Sequence, residues 1–195
     1  MPRIKAGSVA EHRAAIMTQL LDGTERLLLS GADATLTAAG IAAEAGIARN
    51  SIYRYVSSVD DLIEMVLERG FTDWSTAVAA RVADASDPRT AILTYAEANL
   101  EFAADGRHAW RTAIARIHLS DNARSRVMAL HEQITATLHE AVNAVGVVDT
   151  DLTEATIAAI VDACIGRIDA GQPLPEVIDH ARKSVGAVID ACMPG

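Results

Sequence analysis

The sequence predicts an all-helical protein, and three observations carry that prediction. Thirty-eight of the 195 residues are Ala, the strongest intrinsic helix former. Aromatic residues, which favour strands, are only 4% of the chain: two Trp, three Tyr and two Phe. Between cap and glycine signals, apolar residues recur at helical spacing. Half of the residues are hydrophobic, which supplies ample core for one large domain, or a small one joined to a larger one, and excludes long-range disorder.

The first helix is predicted from a capping box at Ser8-Val9-Ala10-Glu11 to Leu29, with Ile16, Leu20 and Leu27 on its buried stripe. A turn follows at residues 31–35. Thr37 caps a short helix from Ala38 to Ala45, and Gly46 supplies the left-handed residue that ends it. Only Gly46-Ile47-Ala48 separates this from a second short helix, Arg49 to Tyr55. Ser57 or Ser58, with Asp60 or Asp61 three residues on, opens a fourth helix that continues past Gly70 to about Val82. Asp87-Pro88 starts a fifth, ending near Phe102. Further helices are predicted over 107–119, 121–145 (closed by Gly146), 151–170 (closed by Gly171) and 175–192. That makes about nine helices and no strand.

Several function classes are set aside. No 18-residue stretch is apolar enough to span a membrane, and the N-terminal MPRIKAGSVAEHR lacks the apolar run of a secretory signal, so the expected location is the cytoplasm. Cys164 and Cys192 do not have zinc-site spacing, and the six histidines form no chelating pair, so no metal and no cofactor is expected. No nucleophile elbow, phosphate loop or dinucleotide fingerprint occurs, and no enzymatic activity is expected.

The net charge of −9 is unevenly distributed. Residues 1–56 carry six Lys and Arg against five Asp and Glu, whereas residues 57–195 carry eleven against twenty-one. Exposed charges act over about 8–10 Å in physiological salt, so an acidic total does not exclude a local polyanion site.

Two short helices joined by a three-residue glycine turn form a helix-turn-helix pattern over residues 37–56. Ile41, Ala42, Ala45, Ile47, Ile52 and Val56 are spaced to face inward, and the small alanines let the helices approach closely. The second helix then presents Arg49, Asn50, Ser51, Tyr53, Arg54 and Tyr55, side-chain types that bond base edges and phosphates. Arginines on a short helix are ordinarily just solvated; the exposed side of a second helix favours DNA contact instead. Arg49, near the helix start, is expected at a base edge and Arg54 at a phosphate. Tyr53 has a half-buried core position as its alternative, and Tyr55 packs inward or outward. Arg3, Lys5 and Arg13 are either a solvated tail or an arm that touches phosphate or the minor groove.

Over residues 16–68 the chain resembles the TetR (tetracycline repressor-like) family of bacterial transcriptional regulators. The resemblance rests on Leu20-Leu21 and Leu27-Leu28, on Thr37 with Ile41-Ala42, on the run from Ala45 to Val56, and on Ser57-Ser58 with Leu62. Three positions and one turn length depart from the family pattern. Ala48 replaces a capping Ser, Val59 a lysine and Gly23 an alanine, and the turn before Thr37 is one residue longer.

The resemblance implies an N-terminal three-helix DNA-binding domain (1–57), followed by a larger helical effector-binding and dimerisation domain (58–195). It implies a homodimer on double-stranded DNA, contacting a palindromic operator through Thr37, Arg49, Asn50, Ser51, Tyr53, Arg54 and Tyr55. It also implies a repressor released by a small apolar effector, in a pocket for which Trp74, Phe102, Trp110, Arg111, His118 and Met128 are the candidates. The two terminal helices would pair across the twofold through Ile157, Ile160, Val161, Ile165, Val185, Val188 and Ile189. The competing reading is a helical ligand-binding or interaction module that does not bind DNA.

Overall fold

The computed structural model describes residues 6–30, 36–105 and 121–194. Among them are seven α-helices and one short 3₁₀ helix, with no strand. In order these are α1 (Ala6–Leu29), α2 (Ala38–Glu44), the 3₁₀ helix (Arg49–Arg54), α3 (Val59–Ala83), α4 (Pro88–Ala104), α5 (Asp121–Val145), α6 (Thr150–Asp169) and α7 (Leu174–Cys192). The all-helical class is therefore the observed one. The helix expected over 107–119 and the turn over 31–35 lie outside the described residues.

Helix boundaries follow the cap chemistry. Thr37 Oγ1 accepts from the Gly40 amide at 3.1 Å, and Asp87 accepts from the Thr90 amide at 2.9 Å with Pro88 at the first helical position. Asp149 caps α6 by accepting from the Leu152 amide at 2.9 Å. Gly46, Gly146 and Gly171 carry the positive φ that ends α2, α5 and α6. α1 differs from expectation: Ala6, the first described residue, is already helical ahead of the predicted cap Ser8. The second short helix differs too, being a single tight 3₁₀ segment. Its start lacks a side-chain cap because Ala48 has no oxygen to offer.

The chain divides into two compact units, Met1–Gly70 with Ala109–Val127 and Phe71–His108 with Met128–Gly195. The division falls inside α3, at Gly70. The physical reason is that the first turns of α3 supply Leu62, Val59 and Met65 to the core of the first unit. That core gathers Leu20, Ala38, Ile41, Ala45, Ile52, Val56 and Leu62. α1 packs on α2, and α2 on the 3₁₀ helix. Gly23 has a steric role here: a Cβ at this position would come within 3.3 Å of Glu44 Cγ and 3.4 Å of the Ala45 amide. The glycine lets α1 lie directly against the end of α2, where Arg26 pairs with Glu44 at 2.7 Å. Arg69 of α3 binds Asp22 at 2.7 Å and also Glu25, fastening α3 to α1.

In the second unit α4 packs on both α6 and α7, which pack on each other. Its core includes Trp74, Ile92, Leu100, Phe102, Leu138, Ile157, Val185 and Ile189. Arg89 binds both carboxylate oxygens of Asp190 at 3.1 Å, and Arg182 pairs with Glu97. Such exposed pairs contribute little, so apolar burial holds this unit together.

One consequence is testable at the turn. Gly46 has a φ of +69° and open space where a Cβ would stand. Gly46→Ala should therefore lower the unfolding free energy by about 1 kcal/mol through backbone conformation alone. Urea titration with an unchanged slope would register it; no loss would mean that the turn does not need its left-handed residue.

Candidate nucleic-acid interface

The six residues Arg49–Arg54 have too few hydrogen bonds to hold a helix by themselves. They are held by Ile52, which is 0% exposed and seated in the core with Leu20, Ile41 and Leu62. Burying Ile52, with Val56 one turn on, fixes which side faces out. The turn before it is closed by the Gly46 amide donating to the Ala43 carbonyl (3.2 Å) and the Ile47 amide to the Ala42 carbonyl (2.9 Å).

The outward side carries Arg49, Asn50, Tyr53 and Arg54, all exposed, with Ser51 half-buried. Tyr53 is 57% exposed, so it is not a core residue. Tyr55 is half-buried and packs against the edge of the core, so it stands apart from the outward group. Thr37 is exposed at the start of α2, with its hydroxyl oxygen engaged in capping. Cations, amide, hydroxyl and phenol thus share one surface. Such a surface suits phosphates and base edges.

Of the three basic residues read as a solvated tail or a DNA-contacting arm, Arg3 and Lys5 lie outside the described residues, and Arg13 makes a contact that reading did not include. Arg13 of α1 donates from Nη1 to the Arg54 carbonyl at 3.0 Å, and its guanidinium carbon lies 5.3 Å from the centre of the Tyr55 ring. Nothing in the spacing of residues 13 and 54 signals that contact, because it depends on the angle at which α1 crosses the motif.

The start of α3 borders the same segment. Ser58 and Asp61 form a reciprocal cap: Ser58 Oγ accepts from the Asp61 amide (3.0 Å), and Asp61 accepts from the amides of Ser57 (2.9 Å) and Ser58 (3.2 Å) and from the Ser58 hydroxyl (2.8 Å). The Ser58 hydroxyl is the largest influence on Asp61. With the two amides it outweighs slight burial and holds the carboxyl below the usual carboxylate range. Val59, where the resemblance leads one to expect lysine, turns into the core.

The other candidate residues are less united. Trp74 and Phe102 are buried and stacked, with ring centres 5.9 Å apart and planes at 16°, and Phe71 lies 6.1 Å from Trp74. Met128 does not join them: it is 63% exposed on α5. Trp110, Arg111 and His118 lie outside the described residues. On α6 and α7, Ile157, Val161, Ile165, Val185 and Ile189 are buried within the single chain, where they pack the second unit's own core. Ile160 and Val188 are half-exposed. Ile160 lines a surface groove of about 440 Å³ between α6 and α7, with Arg167, Val177 and His180. A second groove, of about 530 Å³, is lined by α3, α4 and α5; neither groove includes Trp74 or Phe102. No helix among the described residues is long and apolar enough to cross a membrane.

By sequence, no protein-family model and no curated protein matches this chain. By structure the match is extensive. A TetR-family transcriptional regulator from Streptomyces coelicolor, SCO4454, superposes with a TM-score of 0.80 at 17% identity, covering 100% of this chain and 98% of that one. The superantigen PfiT gives 0.72 at 22% identity, covering 87% and 95%. AibR, solved with isovaleryl coenzyme A and operator DNA, gives 0.71 at 15% identity, covering 88% and 97%. This chain has the all-helical fold of TetR-family transcriptional regulators.

The cap at α3 makes a testable claim. Ser58→Ala should cost about 1 kcal/mol of stability near neutral pH. The Asp61 carboxyl is depressed when folded, so its contribution is complete above the ordinary value of 3.8 and is lost as pH falls. The gap between variant and wild type in chemical unfolding should narrow below that pH. A gap that is constant with pH would show that the carboxylate takes no part in the cap.

Proposed function

We propose that this chain is a ligand-responsive transcriptional regulator that binds a near-palindromic operator as a homodimer. One observation carries the proposal: the buried Ile52 aims Arg49, Asn50, Tyr53 and Arg54 outward from a glycine-turned pair of short helices. That arrangement is a reading surface for a major groove. Arg49, at the start of the segment, reads a base edge, while Arg54 and Tyr53 touch phosphates; Asn50 and Ser51 supply further polar contacts. Thr37 lies at the start of the supporting helix and contributes its hydroxyl proton. Two such segments related by a twofold reach successive major grooves about 34–36 Å apart. The operator complex of AibR supports this reading by analogy of fold.

The second unit binds the effector and forms the dimer. Trp74 and Phe102 give its interior an aromatic wall suited to an apolar ligand, and AibR's isovaleryl coenzyme A makes acylated cofactors a reasonable first class to screen. Effector binding favours a dimer geometry that no longer fits the operator spacing, so the chain acts as a cytoplasmic repressor. Of the seven seam candidates, Ile160 and Val188 are the two left partly exposed to meet a second copy, since the other five are already enclosed.

A second reading is an interaction module that does not bind DNA. The net charge of −9 favours it, as does the likeness to PfiT, a superantigen.

Selection of bound fragments from a random DNA pool separates the two readings. The regulator reading expects a palindromic consensus, with Arg49→Ala costing about 1–3 kcal/mol per half-site and relaxing preference at one base pair. Equal binding of wild type and Arg49→Ala to the selected sequence would remove Arg49 as a reader. Recovery of no preferred sequence would favour the interaction module. For the dimer, Ile160→Asp with Val188→Asp should shift sedimentation at micromolar concentration from twice 20.6 kDa to a folded single chain. An unchanged dimer would place the interface elsewhere.

A further inference from the structure

We propose that Arg13 is a positioning residue: it fixes the end of the Arg49–Arg54 segment and thereby sets sequence discrimination, and is not itself a phosphate contact. This inference rests on the DNA-reading proposal above and assigns a role to a residue outside the reading surface.

The segment is unequally secured. At its start Ala48 makes no side-chain cap, so the first amides are not held by a side chain. At its end the Tyr55 and Val56 amides both donate to the Ile52 carbonyl, at 3.0 and 3.2 Å. The Arg54 carbonyl lies beyond these bonds, among the oxygens that a helix end leaves without an internal partner. Arg13 reaches it from α1, across 41 residues of sequence, with a 3.0 Å hydrogen bond. The same guanidinium covers the Tyr55 ring at 5.3 Å. A cation at a helix C-terminus is favourable, and the ring adds a cation–π contact to the next residue. Two successive residues are thus tied to α1 by one planar group.

That double engagement calls for arginine. A lysine ammonium keeps the charge but has neither the plane that lies over the ring nor the fork that reaches a carbonyl beside it. The contact therefore governs orientation more than charge. Base readout depends on placing side chains accurately against base edges, whereas phosphate attraction tolerates small displacements. Loosening the end of the segment should blur the first and spare the second.

The test uses the full chain with Arg13→Lys and Arg13→Ala. Each is titrated across salt against the operator selected by wild type and against the same duplex with one altered base pair per half-site. A positioning role expects Arg13→Lys to lose about tenfold of the discrimination between the duplexes, on the order of one base pair's preference. Affinity for unrelated DNA and the salt slope should stay at wild-type values. Hydrogen exchange of the Tyr55 and Val56 amides should quicken in the same variant, with the melting temperature nearly unchanged. Wild-type discrimination in Arg13→Lys would overturn the inference while leaving DNA reading intact. So would uniform weakening in Arg13→Ala with the salt slope lower by about one unit per half-site, the mark of a phosphate contact. If wild type itself prefers no sequence, the DNA-reading proposal fails first, and this inference with it.

Discussion

The burial of Ile52 is the contact on which the arrangement of the first unit depends. A six-residue 3₁₀ segment has almost no stability of its own, because nucleating a helix costs more than so few hydrogen bonds return. Removing one isoleucine side chain from water is worth roughly 1.5–3 kcal/mol, enough to decide the orientation of a segment this short. Leu20 from α1, Ile41 from α2 and Leu62 from α3 each contribute to the site that receives it. Three helices therefore share one apolar point, and the polar side of the segment faces outward as a geometric result. Gly23 and Gly46 serve that point in different ways: the first removes a side chain where α1 meets α2, the second supplies the backbone turn.

How much of this was legible in the sequence depends on the range of each interaction. The caps Thr37, Asp87 and the Ser58–Asp61 pair, with the stops Gly46, Gly146 and Gly171, act within four residues and stand where the sequence puts them. Of the inward set, Ile41, Ala42, Ala45, Ile52 and Val56 follow from spacing and are buried, while Ile47 is half-buried against the same core. Spacing did not show that Arg49–Arg54 is 3₁₀: a segment of two turns or less looks alike in either form, and the tighter form follows from packing. Nor did it show Arg13 on the Arg54 carbonyl, a contact set by how two elements cross.

The terminal helices illustrate a related limit. Apolar periodicity reports that a helix face will be covered without saying by what. Ile157, Val161 and Ile165 on α6, with Val185 and Ile189 on α7, read equally well as a dimer seam or as a core. The fold uses them as core, because α4 lies across both helices and takes that face. Of the seam candidates, Ile160 and Val188 stay partly exposed, and Leu152 of α6 is 65% exposed. A seam of few apolar residues flanked by Arg167 and His180 would be sensitive to charge, unlike one built on the five enclosed side chains.

On the DNA-reading proposal, carboxylates near the reading surface would oppose the phosphates, and several in the first unit are internally paired. Asp22 and Glu25 are engaged by Arg69, Glu44 by Arg26, and Glu64 by Arg126 at 2.8 Å. Asp61 is turned onto the amides at the start of α3. Among the described residues no ion pair draws Arg49 or Arg54 into this network, so their charge stays on the outward face. The net charge of −9, most of it carried after position 56, lowers the chain's general attraction to DNA. On the DNA-reading proposal, weak general attraction places more of the binding on Arg49 and the correct seating of its segment, which is where the Ile52 contact and the Arg13 tether both act.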